Sequence, residues 1–274
     1  MSISPRRYAA GPTHLRGRGP RAWSILLHEV KVRFGAAMIV LMALGYAVLL
    51  ITLIVDVELF SGPSIVLANF ADPYRSVVWP LLVLLVVTAA GAPSIAADLG
   101  NRSITLYLSR PIHLVDYLLA KCGSIAVWVA LLAIGPEIVG TILLEALGVI
   151  GAPLALEVGV VAVGLGLVTV IFFVGLSAFL SSLTSKTLHA GVAIFGLTLS
   201  LEIASSAISG VTANPQVAYL SPFTNLQSVM LAVFDTGSTT STIPWVSAVG
   251  LVAVGILLAT LAWMRLRRVE VIGE

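Results

Sequence analysis

From Val158 to Leu183 the chain runs without a charged side chain, and five other stretches of roughly 20 residues are nearly as apolar. A helix of that length crosses a hydrocarbon core of about 30 Å, and in lipid it satisfies all of its own backbone hydrogen bonds. Such runs are therefore predicted as spanning helices: Phe34 to Val55, Val77 to Ala97, Tyr117 to Leu144, Val158 to Leu183, Leu188 to Ala207 and Pro244 to Met264. The polar stretch "SSLTSKT", with Lys186, separates the fourth from the fifth. With 58% hydrophobic and 10% charged residues, and a mean hydropathy of +1.06, the composition excludes an ordinary soluble domain. The expectation is an all-α integral membrane protein with a single six-helix domain over residues 21–274, after a basic N-terminus, residues 1–20, expected to be disordered.

The 15 Lys and Arg residues set an expected orientation. Arg6, Arg7, Arg16, Arg18, Arg21, Lys31 and Arg33 precede the first span, Arg102, Arg110 and Lys121 fall between the second and third, and Lys186 lies between the fourth and fifth. Arg265, Arg267 and Arg268 follow the sixth, and Arg75 alone falls on the other side. The expectation is a multi-pass protein of the cell membrane with both termini cytoplasmic. The first apolar run is longer than the 7–15 residues of a signal peptide core, so it is expected to stay as a helix.

Ahead of that run, "RAWSILLHEVKVRF" places Trp23, Leu26, Leu27, Val30 and Phe34 on one helical face, with His28, Glu29 and Lys31 away from it. That pattern predicts an interfacial helix along the inner leaflet; the alternative is a plain extension of the first span.

The stretch "ADLGNRSITLYLSRPIHLVDYLLAK", Ala97 to Lys121, is polar, bends at Pro111 and sits between two strongly apolar segments. It reads as a long cytoplasmic loop in which "RSITLYLS" forms a short helix and Pro111 biases Arg110 away from helical geometry. Its apolar side chains need a cover, from the protein itself, the lipid interface or another protein.

The run "SIAADLGNRSITLYLSRPIHLVDYLLAK" resembles the first intracellular loop of ABC-2 type transporter permeases. The likeness rests on Asp98, Gly100, Ile104 to Leu108, Ser109, Arg110, Pro111, Ile112 and Lys121. It departs from the common pattern in Asp98, where Glu is frequent, and in lacking a Gly just before the Lys. Six spans, an interfacial N-terminal helix and "YLSPFTNL" before the last span extend the resemblance over nearly the whole chain.

The resemblance implies the membrane subunit of an exporter with a type V-like fold, formed from two permease subunits, identical or related, and two ATPase subunits. Substrate would move along the interface between the permeases. The loop would dock on the ATPase, with Ile104, Leu106, Tyr107 and Leu108 as apolar surface, and Asp98, Arg102, Arg110 and Pro111 fixing its charge and shape. The competing reading of Arg110 is one more positive flank that sets topology. No G-x-x-x-x-G-K-[ST] loop occurs, so the chain is expected to bind no cofactor and to be no enzyme itself. ATP and Mg would sit on the partner subunits. No nucleic-acid partner is implied.

Two acids fall within spans, where an ionised side chain costs at least about 2.5 kcal/mol and usually faces protein or water. Glu137 follows Pro136, a predicted kink, and lies ~24 Å along the helix from Lys121. Glu202 is displaced toward the same outer side. They either line a translocation path or cation site, or cap helix ends near interfacial water; Glu145 lies nearer the interface. Gly159, Ala162, Gly164 and Gly166 on the fourth span, and Gly191 and Gly196 on the fifth, are expected to allow close helix approach. Ser221 is expected to cap a helix that starts at Pro222 and carries Leu226, Val229, Met230 and Val233 on one face, either re-entering or lying on the outer leaflet.

The four histidines, His14, His28, His113 and His189, are scattered, and no metal-ligand or protease spacing occurs. The lone Cys122 reads as packing. The main alternative function is an ion-coupled secondary transporter or channel that uses Glu137 and Glu202. A structural assembly subunit is the third class.

Overall fold

A computed structural model describes residues 18–59, 78–103, 113–212, 214–233 and 242–272, and among these every regular element is helical. The elements are α1 (Arg18–Arg33), α2 (Ala36–Leu59), α3 (Val78–Gly100), α4 (Leu114–Ala133), α5 (Gly135–Ala146), α6 (Ala152–Ser182), α7 (Thr187–Thr212), a 3-10 turn (Pro215–Leu220), α8 (Pro222–Val233) and α9 (Pro244–Ile272). Five stretches are long and apolar enough to cross a membrane: Val78–Gly100, Leu114–Ala146, Ala152–Ser182, Thr187–Thr212 and Pro244–Arg268. A sixth is added if Ala22–Arg33 and Ala36–Thr52 count as one broken span. These two segments meet at 83°, so α1 turns across the end of α2 and does not extend it.

The third predicted span is two helices. α4 stops where Ile134 takes φ −112°, and α5 restarts with Pro136 in its first turn, where a missing N–H is tolerated. α3 contains Pro93 within its length. Just past the proline, a side chain of α6 enters the ladder: Ser181 Oγ accepts from the N–H groups of Ile95 (3.0 Å) and Ala96 (2.9 Å) and donates to the Ala92 carbonyl (3.0 Å). The inserted hydroxyl ties α3 to the C-terminal end of α6.

α9 lies along α6 in the most extensive helix pairing of the molecule. Where they cross, a Cβ on Gly175 would come within 2.0 Å of the Gly255 carbonyl oxygen, and one on Gly255 within 2.6 Å of the Ile171 oxygen. Only glycine allows that backbone approach, the usual source of helix association in lipid. Of the small residues expected to play this part, Gly166 packs tightly on Ile134, whereas Gly159, Gly164 and Gly196 face open space. The sequence shows where glycines are, but not which of them faces a partner.

The larger core joins Trp79, Val83 and Val87 of α3, Trp128 and Leu132 of α4, Phe173 of α6 and Met230 of α8. A smaller cluster of Ile95, Leu114, Tyr117, Leu118, Ala262 and Leu266 lies at the end where α3 and α9 finish and α4 begins. There Arg265 donates to the Ser182 (2.7 Å) and Leu183 (3.2 Å) carbonyls, satisfying the last turn of α6 with a cation at its negative pole.

Candidate functional site

Two polar clusters stand out at opposite ends of the bundle. The first gathers α1, α3 and α4. Glu29 and Arg33, one turn apart on α1, form an ion pair at 2.9 Å. Lys121 Nζ sits 2.6 Å from Glu29 Oε1 and 2.7 Å from Asp98 Oδ2, bridging both carboxylates. Tyr117 Oη donates to Asp98 Oδ2 at 2.7 Å, Ser103 Oγ donates to Asp98 Oδ1 at 3.0 Å, and the Lys121 ammonium lies 5.6 Å from the Tyr117 ring centroid. Arg33 also donates to Ser124 Oγ (3.2 Å) and to the Ala90 carbonyl.

These four charged groups sum to zero, and each carries at least one ion pair. Lys121 is only 2% exposed, two turns inside the end of α4, where an unpaired charge would be costly. The local sequence explains the geometry. Asp98 falls in the last turn of α3, and Tyr117 and Lys121 share one face of α4 as an i, i+4 pair. α3 ends at Arg102 in the left-handed region, φ 54°, which turns the chain out of the helix.

Asp98 and Arg102 lie at the base of the predicted docking loop. Ile104, Leu106, Tyr107, Leu108, Arg110 and Pro111 fall outside the described residues. What the structure adds is the root of that loop: the stem leaving α3 and the stem entering α4 are joined through the Asp98–Lys121 ion pair. Glu29, Arg33, Tyr117 and Ser124 were not legible as members of this group. Helical spacing placed Glu29 away from the apolar face of α1, toward water; the structure instead turns it into the protein. Their one sequence signal is the Glu29/Arg33 spacing of four.

The second cluster, at the far end, is almost uncharged. Ser221 Oγ accepts from Thr224 N–H (2.9 Å), the cap expected from the sequence, and donates to Glu202 Oε2. Thr224 Oγ1 adds a long contact to Glu202 Oε1 at 3.4 Å. Asn225 Nδ2 donates to the Tyr219 (2.9 Å) and Ser221 (2.7 Å) carbonyls, while its Oδ1 accepts from Ser247 Oγ (2.7 Å). Thr242 Oγ1 donates to Ser228 Oγ at 2.6 Å, and Tyr219 Oη accepts from Ile243 N–H at 2.8 Å. α8 is thereby pinned between α7 and α9, with Leu226, Val229 and Met230 buried.

Glu137 stands apart from both. It is 1% exposed in the first turn of α5, and neither carboxylate oxygen has a hydrogen-bond partner among the described residues. No hydrogen bond joins it to Glu202. Among the described residues no group of three or more His, Cys, Asp or Glu side chains is placed to hold a metal ion. The chain matches no model of a known protein family and no curated protein.

Proposed function

We propose that the chain is the permease subunit of an ATP-binding cassette transporter of the ABC-2 type. In this reading it exports its substrate at the interface of two permease subunits, driven by two separate ATPase subunits that carry ATP and Mg. α2 makes the first of six crossings, and both termini lie in the cytoplasm.

The observation that carries the reading is the ionic clamp at the root of residues 97–121. A loop that transmits force needs stems that move as one body, and the Asp98–Lys121 pair joins them while Glu29 extends the joint to α1. A push on the loop then acts together on α1, on α4, and on the part of α3 beyond Pro93. The apolar residues 104–108 and Pro111 supply the docking surface by resemblance, and Arg110 holds its charge.

The experiment is co-purification of the tagged chain from native membranes with identification of its partners, comparing wild type with Tyr107→Asp and Arg110→Glu. An ATPase subunit that accompanies the wild type and is lost from folded variants supports the assignment. Wild type without any ATPase under gentle extraction overturns it.

A second reading has one specific observation behind it. Glu137 is a buried carboxyl with no hydrogen-bond partner among the described residues, as an ion- or proton-coupled carrier would use. It predicts ion flux lost in Glu137→Gln without any ATPase present.

A further inference from the structure

Between α5 and α6 runs an apolar groove of about 950 Å³. Ile138 and Ile142 form one wall, and Leu156, Val160 and Val163 the other. Leu156, Val160 and Ile142 are 72%, 65% and 60% exposed, so nothing else in the described chain covers the groove. Along α6 it extends from Ala152 to Val163, about 16 Å, close to half of a hydrocarbon core of about 30 Å. It therefore matches the depth of a single leaflet.

Its outer end is electrically distinct. Glu145 lines the groove there, in the last turn of α5, where the helix's negative pole adds to the carboxylate. From Cys122 to Ser185 the sequence holds no Lys or Arg, so neither helix nor the turn between them supplies a counter-ion. The α6 N-terminus at Ala152 lines the same end without a side-chain cap from Gly151, a positive pole that suits a phosphate beside the amine. An apolar trough one leaflet deep, closed by a carboxylate, suits an acyl chain with a cationic head.

We propose that this groove holds one chain of an amine-headed phospholipid, a phosphatidylethanolamine, with its ammonium on Glu145. The inference does not depend on the transporter assignment, since it can be read on the chain without any ATPase. Gly159 lies in the groove, and a Cβ built there meets nothing within 4 Å, so a larger side chain would fill the trough without displacing protein.

The test is native mass spectrometry of the full chain in mild detergent, titrated with equal amounts of dioleoyl phosphatidylethanolamine and dioleoyl phosphatidylglycerol. Wild type is expected to retain one phosphatidylethanolamine in preference to phosphatidylglycerol. Gly159→Phe should lose that adduct, and Glu145→Lys should shift the preference toward the anionic lipid by about fivefold, the upper scale of an exposed ion pair. Equal retention of the two lipids by wild type overturns the proposal. So does an adduct undiminished in Gly159→Phe, or a preference unchanged in Glu145→Lys. Glu145 is exposed, so its variant decides the matter even if Gly159→Phe does not fold.

Discussion

The two ends of the bundle solve the same problem with different chemistry. At one end three helices meet through Glu29, Arg33, Asp98 and Lys121, four charged groups closed on one another. At the other, α8 and α9 meet through Asn225, Ser228, Thr242 and Ser247, whose hydrogen bonds are all between neutral groups. A neutral network loses one hydrogen bond at a time. A closed ionic set fails as a unit, because removing one member strands a buried charge. The ionic end is therefore stiff and sensitive to register, as the proposed coupling role of the loop rooted there requires, and the neutral end can rearrange at low cost.

The largest effect is expected from Lys121→Met. Among the described residues its ammonium is the one cation in ion-pair contact with both Glu29 and Asp98, and the substitution leaves two carboxylates facing each other at low exposure. The expected loss is about 3–5 kcal/mol, seen as a fall in Tm on the order of 10 °C in detergent. Combining it with Asp98→Asn removes the stranded carboxylate while Glu29 keeps its pair with Arg33, and the double variant should be more stable than the single one. A double variant that is worse than Lys121→Met would mean that the cluster acts through shape and not charge.

Asn225→Ala probes the opposite end and should cost less. It removes two donated bonds and one accepted bond, leaving the Tyr219 and Ser221 carbonyls and the Ser247 hydroxyl to find other partners. Ser247 has Thr242 and Ser228 within reach, so part of the loss is recovered. About 1–3 kcal/mol is expected, measured by the same thermal unfolding. Equality with Lys121→Met would show that the neutral end is no softer than the ionic one.

Much of this architecture could be read from apolar run length, because about 20 uncharged residues leave a helix in lipid few alternatives. The Ser221–Pro222 helix start and the break beside Pro136 were legible for the same reason, each being a local backbone rule. The ionic cluster was not. Arg33 read as a topology flank and Glu29 as a solvent-facing residue, since helical spacing gives a face but not the neighbour it meets. The Ser181 hydroxyl inserted just past Pro93 depends on how α6 approaches α3, and the Gly175–Gly255 crossing on the register of α9. Such facts belong to the packing of separate segments.

The smallest effect, and the sharpest test of the contrast, is Glu202→Gln. Glu202 is the one charged group in the far cluster among the described residues, partly exposed, and its carboxylate faces the first turn of α8 through Ser221 and Thr224. A carboxylate at a helix N-terminus gains only about 0.3–1 kcal/mol from the dipole, and glutamine keeps an oxygen able to accept from Ser221. The loss in stability should stay below about 1 kcal/mol, a change in Tm of a few degrees at most. Were Glu202→Gln to lower Tm as far as Lys121→Met, charge would be essential at both ends and the contrast would fail. If stability holds but the transport proposed for this chain is lost, Glu202 acts on the substrate path and not on the fold.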